Sequence, residues 1–301
     1  MAAAGKVRIG ISGWRYGGWR GAFYPPELVH RRELEFASRQ FSTIEINGTF
    51  YSLQRPESFD RWAAETPPDF VFAVKGSRYI THMLRLREVE GALANFFAQG
   101  LLHLGRKLGP VLWQFPPNFQ FQPERMEEFF RLLPRSCAQA AEMARNAKRA
   151  ALRADDSAGS NHPKISGRRL LRHAVEIRHE SFVCASFIAL LRRYGIGLVV
   201  ADTVDWPLLF DVTADFVYCR LHGSEELYAS GYDSHALDTW ATRVARWARG
   251  DEVEDGQKAR AKPAPKRTGR DVFVYFDNDR KVRAPADATQ LAERVARLLE
   301  G

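Results

Sequence analysis

With 301 residues, 45% of them hydrophobic and 12% aromatic, the chain can bury a large core, which excludes a disordered or fibrous protein and leaves one big α/β domain or two ordinary ones. Cys137, Cys184 and Cys219 lie far apart with no CxxC or Cys/His ladder, which excludes a disulfide framework or a zinc ribbon and fits a reducing cytoplasm. The net charge of +8 resides in two segments, 135 to 172 with nine Lys/Arg against three Asp/Glu and 249 to 270 with seven against four, so a near-neutral body carries two basic appendages.

The chain opens on Met-Ala-Ala-Ala-Gly-Lys-Val and runs directly into a strand pattern. No run approaches the ~20 apolar residues of a membrane span, so a soluble cytoplasmic protein with no membrane partner is expected. Eight short β-prone runs follow in order: Val7–Ser12, Thr43–Ile46, Phe70–Val74, Val111–Gln114, Ala174–Ile177, Gly197–Ala201, Phe216–Arg220 and Val272–Phe276. Between them apolar residues recur at helical spacing, as in Leu34, Ala37 and Phe41, in Val183, Phe187, Leu190, Leu191 and Tyr194, and in Leu291, Val295, Leu298 and Leu299. Ser181 and Asp287 stand where helix caps belong.

Strands alternating with helices predict a parallel sheet, and eight repeats in one chain of this length predict a single closed (β/α)8 TIM-type barrel. No GxGxxG follows the first strand, which disfavours a dinucleotide-binding sheet. The segment 138 to 172 reads as a basic insertion, part helix and part disordered, and 251 to 270, with Lys-Pro-Ala-Pro-Lys, as a flexible basic loop. Neither marks a domain boundary, because strands needed for closure lie on both sides.

In such a barrel the chemistry sits at the carboxyl ends of the strands. Those ends supply Ser12, Gly13 and Trp14; Glu45 and Asn47; Lys75 with Thr81 and His82; Gln114; Glu176, Arg178 and His179; Asp202; Arg220 and His222; Asp277 and Asn278. Charges this numerous are expected to converge and neutralise one another in one wet pocket.

The motifs Ile-Ser-Gly-Trp-Arg-Tyr16, Glu45-Ile-Asn-Gly-Thr-Phe-Tyr51, Phe72-Ala-Val-Lys75, Ile80-Thr-His82, Gln114-Phe-Pro-Pro117, Glu176-Ile-Arg-His179, Arg220-Leu-His-Gly223 and Tyr275-Phe-Asp-Asn278 closely resemble the DUF72 family, also called YecE-like proteins. The resemblance spans nearly the whole chain outside the two basic segments; it implies a TIM-type barrel and no agreed activity. Gly48, Phe182 and Asp277 depart from the family pattern, the last giving an acid where an Asn is common.

Glu45 and Glu176 are candidates for a facing carboxylate pair in general acid/base work, or for partners of Arg178, Lys75 or Arg220 that hold the barrel closed. Lys75, Arg178 and Arg220 would surround a small anionic, carboxylate- or phosphate-bearing ligand from three sides, with Lys75 as point charge, proton donor or Schiff-base amine; internal salt bridges would explain the same residues. Asp202 and His222 join the catalytic candidates. His82, His179, Asn47, Gln114 and Asn278 join the ligand-binding ones, while Trp14 and Tyr51 offer an aromatic wall for a sugar or base. No cofactor is implied. The histidines lie on separate loops without HxH or HExxH and among repelling cations, so a metal is not expected. The leading expectation is an enzyme moving protons on a small anionic substrate. Metal-dependent phosphoester cleavage on nucleic acid guided by the basic segments, and a non-catalytic binding protein, are the alternatives. Nothing in the sequence sets the oligomeric state.

Overall fold

The computed structural model describes residues 4–147, 167–223, 227, 230–278 and 282–300. Eight parallel strands close on themselves: β1 (Val7–Ser12), β2 (Thr43–Ile46), β3 (Val71–Lys75), β4 (Leu108–Gln114), β5 (His173–Glu176), β6 (Gly197–Asp202), β7 (Phe216–Leu221) and β8 (Asp271–Phe276), with β8 pairing back to β1. These are the eight runs expected from sequence. The main extension is β4, which begins at Leu108 because that residue already pairs with Phe72 across an irregular register.

The helices are α1 (Glu33–Gln40), α2 (Gly48–Tyr51), α3 (Pro56–Glu65), α4 (Glu90–Ala98), α5 (Pro123–Leu132), α6 (Cys137–Arg145), α7 (Ala185–Tyr194), α8 (Ser234–Ala248) and α9 (Ala284–Glu300). Pro56 and Pro123 start α3 and α5, where a missing N–H leaves nothing unpaired. The Asp233 carboxylate caps α8 by accepting from Ala236 N at 2.7 Å. The two caps expected from sequence are corrected. Cys184 precedes α7, and the Ser181 hydroxyl accepts instead from Phe121 N at 2.8 Å. Asp287 lies inside the first turn of α9, accepting from Asn278 Nδ2 at 2.8 Å.

Side chains alternate across each strand, so the barrel builds two cores. One parity, including Val71, Leu112, Val199, Tyr218 and Tyr275, fills the interior. The other, including Ile44, Phe72, Trp113, Val200 and Val274, packs beneath the helices. Inside, the Tyr218 and Tyr275 rings lie 5.0 Å apart, and the Tyr275 hydroxyl meets Thr43 Oγ1 at 2.8 Å. At the amino ends Arg172 ties Asp215 and Asp271 at 2.8 and 2.6 Å. With the interior filled and this end bridged, the inward-facing polar groups collect at the carboxyl ends.

Helix α6 forms the first part of the segment 138 to 172, and residues 148–166 lie outside the described residues. Residues 251 to 270 contain no helix and, apart from a bridge between Gln257 and Leu209, no strand pairing. They are tied to the barrel by the Asp211 carboxylate, which accepts from Ala259 N and Arg260 N at 2.8 and 3.0 Å, and by Arg192, which donates to Lys262 O at 2.7 Å. Among the described residues no helix is long and apolar enough to cross a membrane.

Candidate active site at the barrel mouth

The period of two that separates the cores also decides which strand ends meet. Ser12, Glu45, Lys75, Gln114, Glu176 and Arg220 occupy the last inward positions of their strands, and His222 and Asp277 continue that parity one step past β7 and β8. All eight are buried.

Arg220 is the hub. Its Nη1 donates to Glu176 Oε2 at 2.6 Å, its Nη2 to Glu45 Oε1 at 3.0 Å and Asp277 Oδ2 at 2.6 Å, and its Nε to Glu45 Oε2 at 3.2 Å. Glu45 also accepts from the Ser12 and Tyr218 hydroxyls, each at 2.5 Å, and Glu176 accepts from Arg178 Nε at 2.8 Å. A lone charge at this depth would cost several kcal/mol, and only the mutual pairing makes the cluster tolerable. Burial alone would raise the Glu176 and Asp277 carboxyls, but the Arg220 guanidinium together with His222 and Lys75, and for Glu176 also Arg178, outweighs it and holds both well below the usual carboxylate range. Glu45 and Glu176 thus face each other across the mouth with Arg220 between them. These carboxylates occupy the Arg220 fork, so the anion-gripping role expected of that residue is not open to it.

Arg178 extends the inward row from Glu176. Its guanidinium stacks 3.7 Å from the centroid of Trp206, whose ring stands perpendicular to that of His222 at 5.8 Å. His222 Nδ1 lies 3.3 Å from Asp277 Oδ2, and Nε2 lies 3.9 Å from Glu176 Oε2. Burial first and the Arg220 charge second lower the His222 pKa, so the ring is neutral at pH 7 and able to relay a proton.

Lys75 differs from both arginines. Among the described residues its Nζ makes no hydrogen bond and no ion pair; it stands 4.6 Å from the centroid of Phe50, with 8% of the residue exposed. Burial, followed by the Arg220 charge, draws its pKa down to about 8. His82 sits on a five-residue π-helical turn (Tyr79–Met83) after β3, packs edge-on to the same Phe50 ring at 5.1 Å, and is drawn to about 4 by burial and then Arg178. Gln114, on the neighbouring strand, has a buried Oε1 with no partner among the described residues.

Other expected site residues lie elsewhere. Asp202 has the outward parity of β6, where Ala201 faces in; its carboxylate accepts from Trp240 Nε1 on α8 at 3.1 Å, and burial raises its pKa. It is therefore removed from the catalytic set. Asn278, one residue past Asp277, turns outward and donates to Ser230 O at 3.0 Å and Asp287 at 2.8 Å. The His179 ring caps the turn after β5 by accepting from Ser181 N at 3.1 Å. Trp14 and Tyr51 line a side cavity of about 390 Å³ with Tyr16, Trp62, Arg15 and Arg61. Asn47 lines it too and donates to Ser12 Oγ at 3.0 Å, joining the cavity to the Glu45 side of the hub. Gly13 (φ +86°) makes the turn that lets the Tyr16 hydroxyl donate to Ser12 O; a Cβ there would lie 2.8 Å from that hydroxyl.

Sequence reasoning left Tyr218 out of the site, placed Asp277 among the converging strand ends without giving it a catalytic or binding role, and left out Trp206. The first two were legible from parity, since Tyr218 precedes Arg220 by two and Asp277 follows Tyr275 by two. Trp206 is on a loop and carried no periodic signal.

Among the described residues no group of three or more His, Cys, Asp and Glu side chains could hold a metal ion. The position between Glu45, Glu176 and Asp277 that would attract a cation is filled by Arg220.

Residues 8–300 match the model of a family described as protein of unknown function DUF72. The chain is 31% identical over 126 residues to the UPF0759 protein YunF of Bacillus subtilis, covering 40% of this chain and 43% of that one. It is 28% identical over 113 residues to the UPF0759 protein YecE of Escherichia coli, covering 38% and 39%. The aligned stretches thus span less than half the length of either relative. A DUF72 family protein from Thermotoga maritima superposes with a TM-score of 0.70 at 24% identity, covering 97% of this chain and 99% of that chain. Another from Enterococcus faecalis superposes at 0.65 with 15% identity, covering 98% and 99%. These likenesses establish the fold.

Proposed function

The chain belongs to the DUF72 family, whose description names no activity, and we propose that it is an enzyme that binds a small anionic substrate at the barrel mouth and moves protons on it. The observation that carries this reading is the state of Lys75. The hub pairs Arg220 and Arg178 with Glu45, Glu176 and Asp277, whereas Lys75 alone of the three inward cations has no carboxylate within ion-pair distance among the described residues. An entering carboxylate or phosphate supplies that counter-charge in a low-dielectric setting, where it is worth far more than in water. The neutral His222 ring, set between Asp277 and Glu176, is the group placed to give and take a proton.

Inorganic phosphate titrated against tryptophan fluorescence tests the binding half, because Trp206 stacks on Arg178 within the site. Saturable quenching is expected in the wild type and in Asp202→Asn, and its loss in Lys75→Met. Equal quenching in Lys75→Met overturns the reading.

A further inference from the structure

We infer that Lys75 is an amine nucleophile that captures a small carboxylate- or phosphate-bearing aldehyde or ketone as a covalent imine, an inference that rests on the anion-binding mouth proposed above.

The first support is geometric. Lys75 Nζ ends the inward row of β3 with no hydrogen bond or ion pair among the described residues, so its lone pair is unengaged once a proton leaves. Lys107 provides the contrast within the same chain: its Nζ donates to Ala63 O and Thr66 O at 2.6 Å each and to Thr66 Oγ1 at 3.0 Å, three contacts that use all three ammonium protons. The second is electrostatic. An apolar face on one side, here Phe50, and a neighbouring fixed cation, here Arg220, are the two surroundings that make a lysine amine available near neutral pH, and they bring this one to about 8. The third is Gln114, inward on the adjoining strand β4, whose Oε1 has no partner among the described residues and is an acceptor for the hydroxyl that capture creates.

The chemistry balances without a redox partner. The Nζ lone pair bonds to the carbonyl carbon while the C=O π pair moves to oxygen; oxygen gains a proton as nitrogen loses one, giving a carbinolamine. Proton transfer to that hydroxyl releases it as water while the nitrogen lone pair closes the C=N bond. One amine and one carbonyl become one imine and one water, and hydrolysis reverses the sequence. His82, neutral and packed on the same Phe50 ring, offers a nitrogen for these transfers. The protonated imine carries its charge where Glu45, Asp277 and Glu176 already act on Lys75, and it draws electrons from the adjacent carbon. The reaction class is therefore activation of the bond next to a carbonyl.

Borohydride trapping with pyruvate as the probe tests the step, read by mass spectrometry of peptides. The expected result is a reduced pyruvyl adduct on Lys75 exceeding that on Lys107 or Lys258 by about tenfold or more, a margin below the roughly two-hundredfold larger neutral-amine fraction that a pKa of about 8 gives over a solvated lysine at pH 7.5. The adduct should be absent from Lys75→Met and Lys75→Arg, the latter keeping a cation without an accessible lone pair. Phosphate quenching is measured on the same samples. Phosphate binding without selective labelling of Lys75 overturns the imine and leaves the anion-binding reading standing; neither binding nor labelling overturns both.

Discussion

Arg220 of β7 and Glu176 of β5 meet at 2.6 Å with both side chains entirely removed from solvent. Arg220 also serves Glu45 and Asp277, so deleting it leaves three carboxylates without their common cation. Arg220→Met is expected to lower folding stability by about 3–5 kcal/mol, the range for breaking a buried pair from one side. Urea unfolding followed by circular dichroism reads this directly. A loss below about 1 kcal/mol contradicts the hub.

Lys75 carries the opposite sign. Its folded pKa, near 8, lies below that of a solvated lysine, so the folded state binds fewer protons than the unfolded state between pH 8 and 10.5. Stability contributed by this group therefore rises with pH through that window, and below pH 8 the ammonium is a constant burden. Lys75→Met is expected to gain on the order of 2 kcal/mol at pH 7. Thermal unfolding at pH 7 and 10 should show a smaller difference between variant and wild type at the higher pH.

On the acid side the Glu176 and Asp277 carboxyls are held below their unfolded values, so the stability they contribute is present above pH 4 and is lost as pH falls through the folded values. His82, depressed to about 4, adds a loss that starts at pH 6.5, where the unfolded imidazole begins to bind a proton that the folded one refuses. Stability should thus fall in two steps, and His82→Phe should shrink the upper one, to which His173, drawn to about 4 by burial, and His222, also lowered by burial, contribute with the same sign. An unchanged profile between pH 6.5 and 5 in that variant would contradict the placement of His82.

Trp206 stacks on Arg178 at 3.7 Å, a half-buried cation–π contact worth about 1–2 kcal/mol. Trp206→Leu is expected to weaken phosphate binding by about tenfold, measured by calorimetry, through a freed Arg178. Unaltered affinity would mean that Arg178 is fixed by Glu176 alone.

Much of this was legible before any coordinates. The eight β-prone runs and the helical spacing between them specify the barrel, because buried parallel strands leave short apolar signatures that few other arrangements share. The centre was partly legible: Glu45, Lys75, Gln114, Glu176, Arg178, Arg220 and His222 do converge. Asp202 and Asn278 were misplaced because a strand end was treated as pointing inward whatever its parity, although Ala201 and Asp277 are the inward neighbours. Who neutralises whom was beyond the sequence, since three carboxylates and three cations allow many pairings. Only the arrangement around Arg220 singles out Lys75.

That singling out is what the account depends on, and the titration of Lys75 tests it most directly. Reductive ¹³C-methylation of the lysines, with Lys75 assigned by its loss in Lys75→Arg and its shift followed from pH 6 to 11 by NMR, gives its midpoint. A value near 8 is predicted. A midpoint at or above 10 would mean that the ammonium is satisfied in the folded protein, and would contradict both the anion-accepting mouth and the reactive amine.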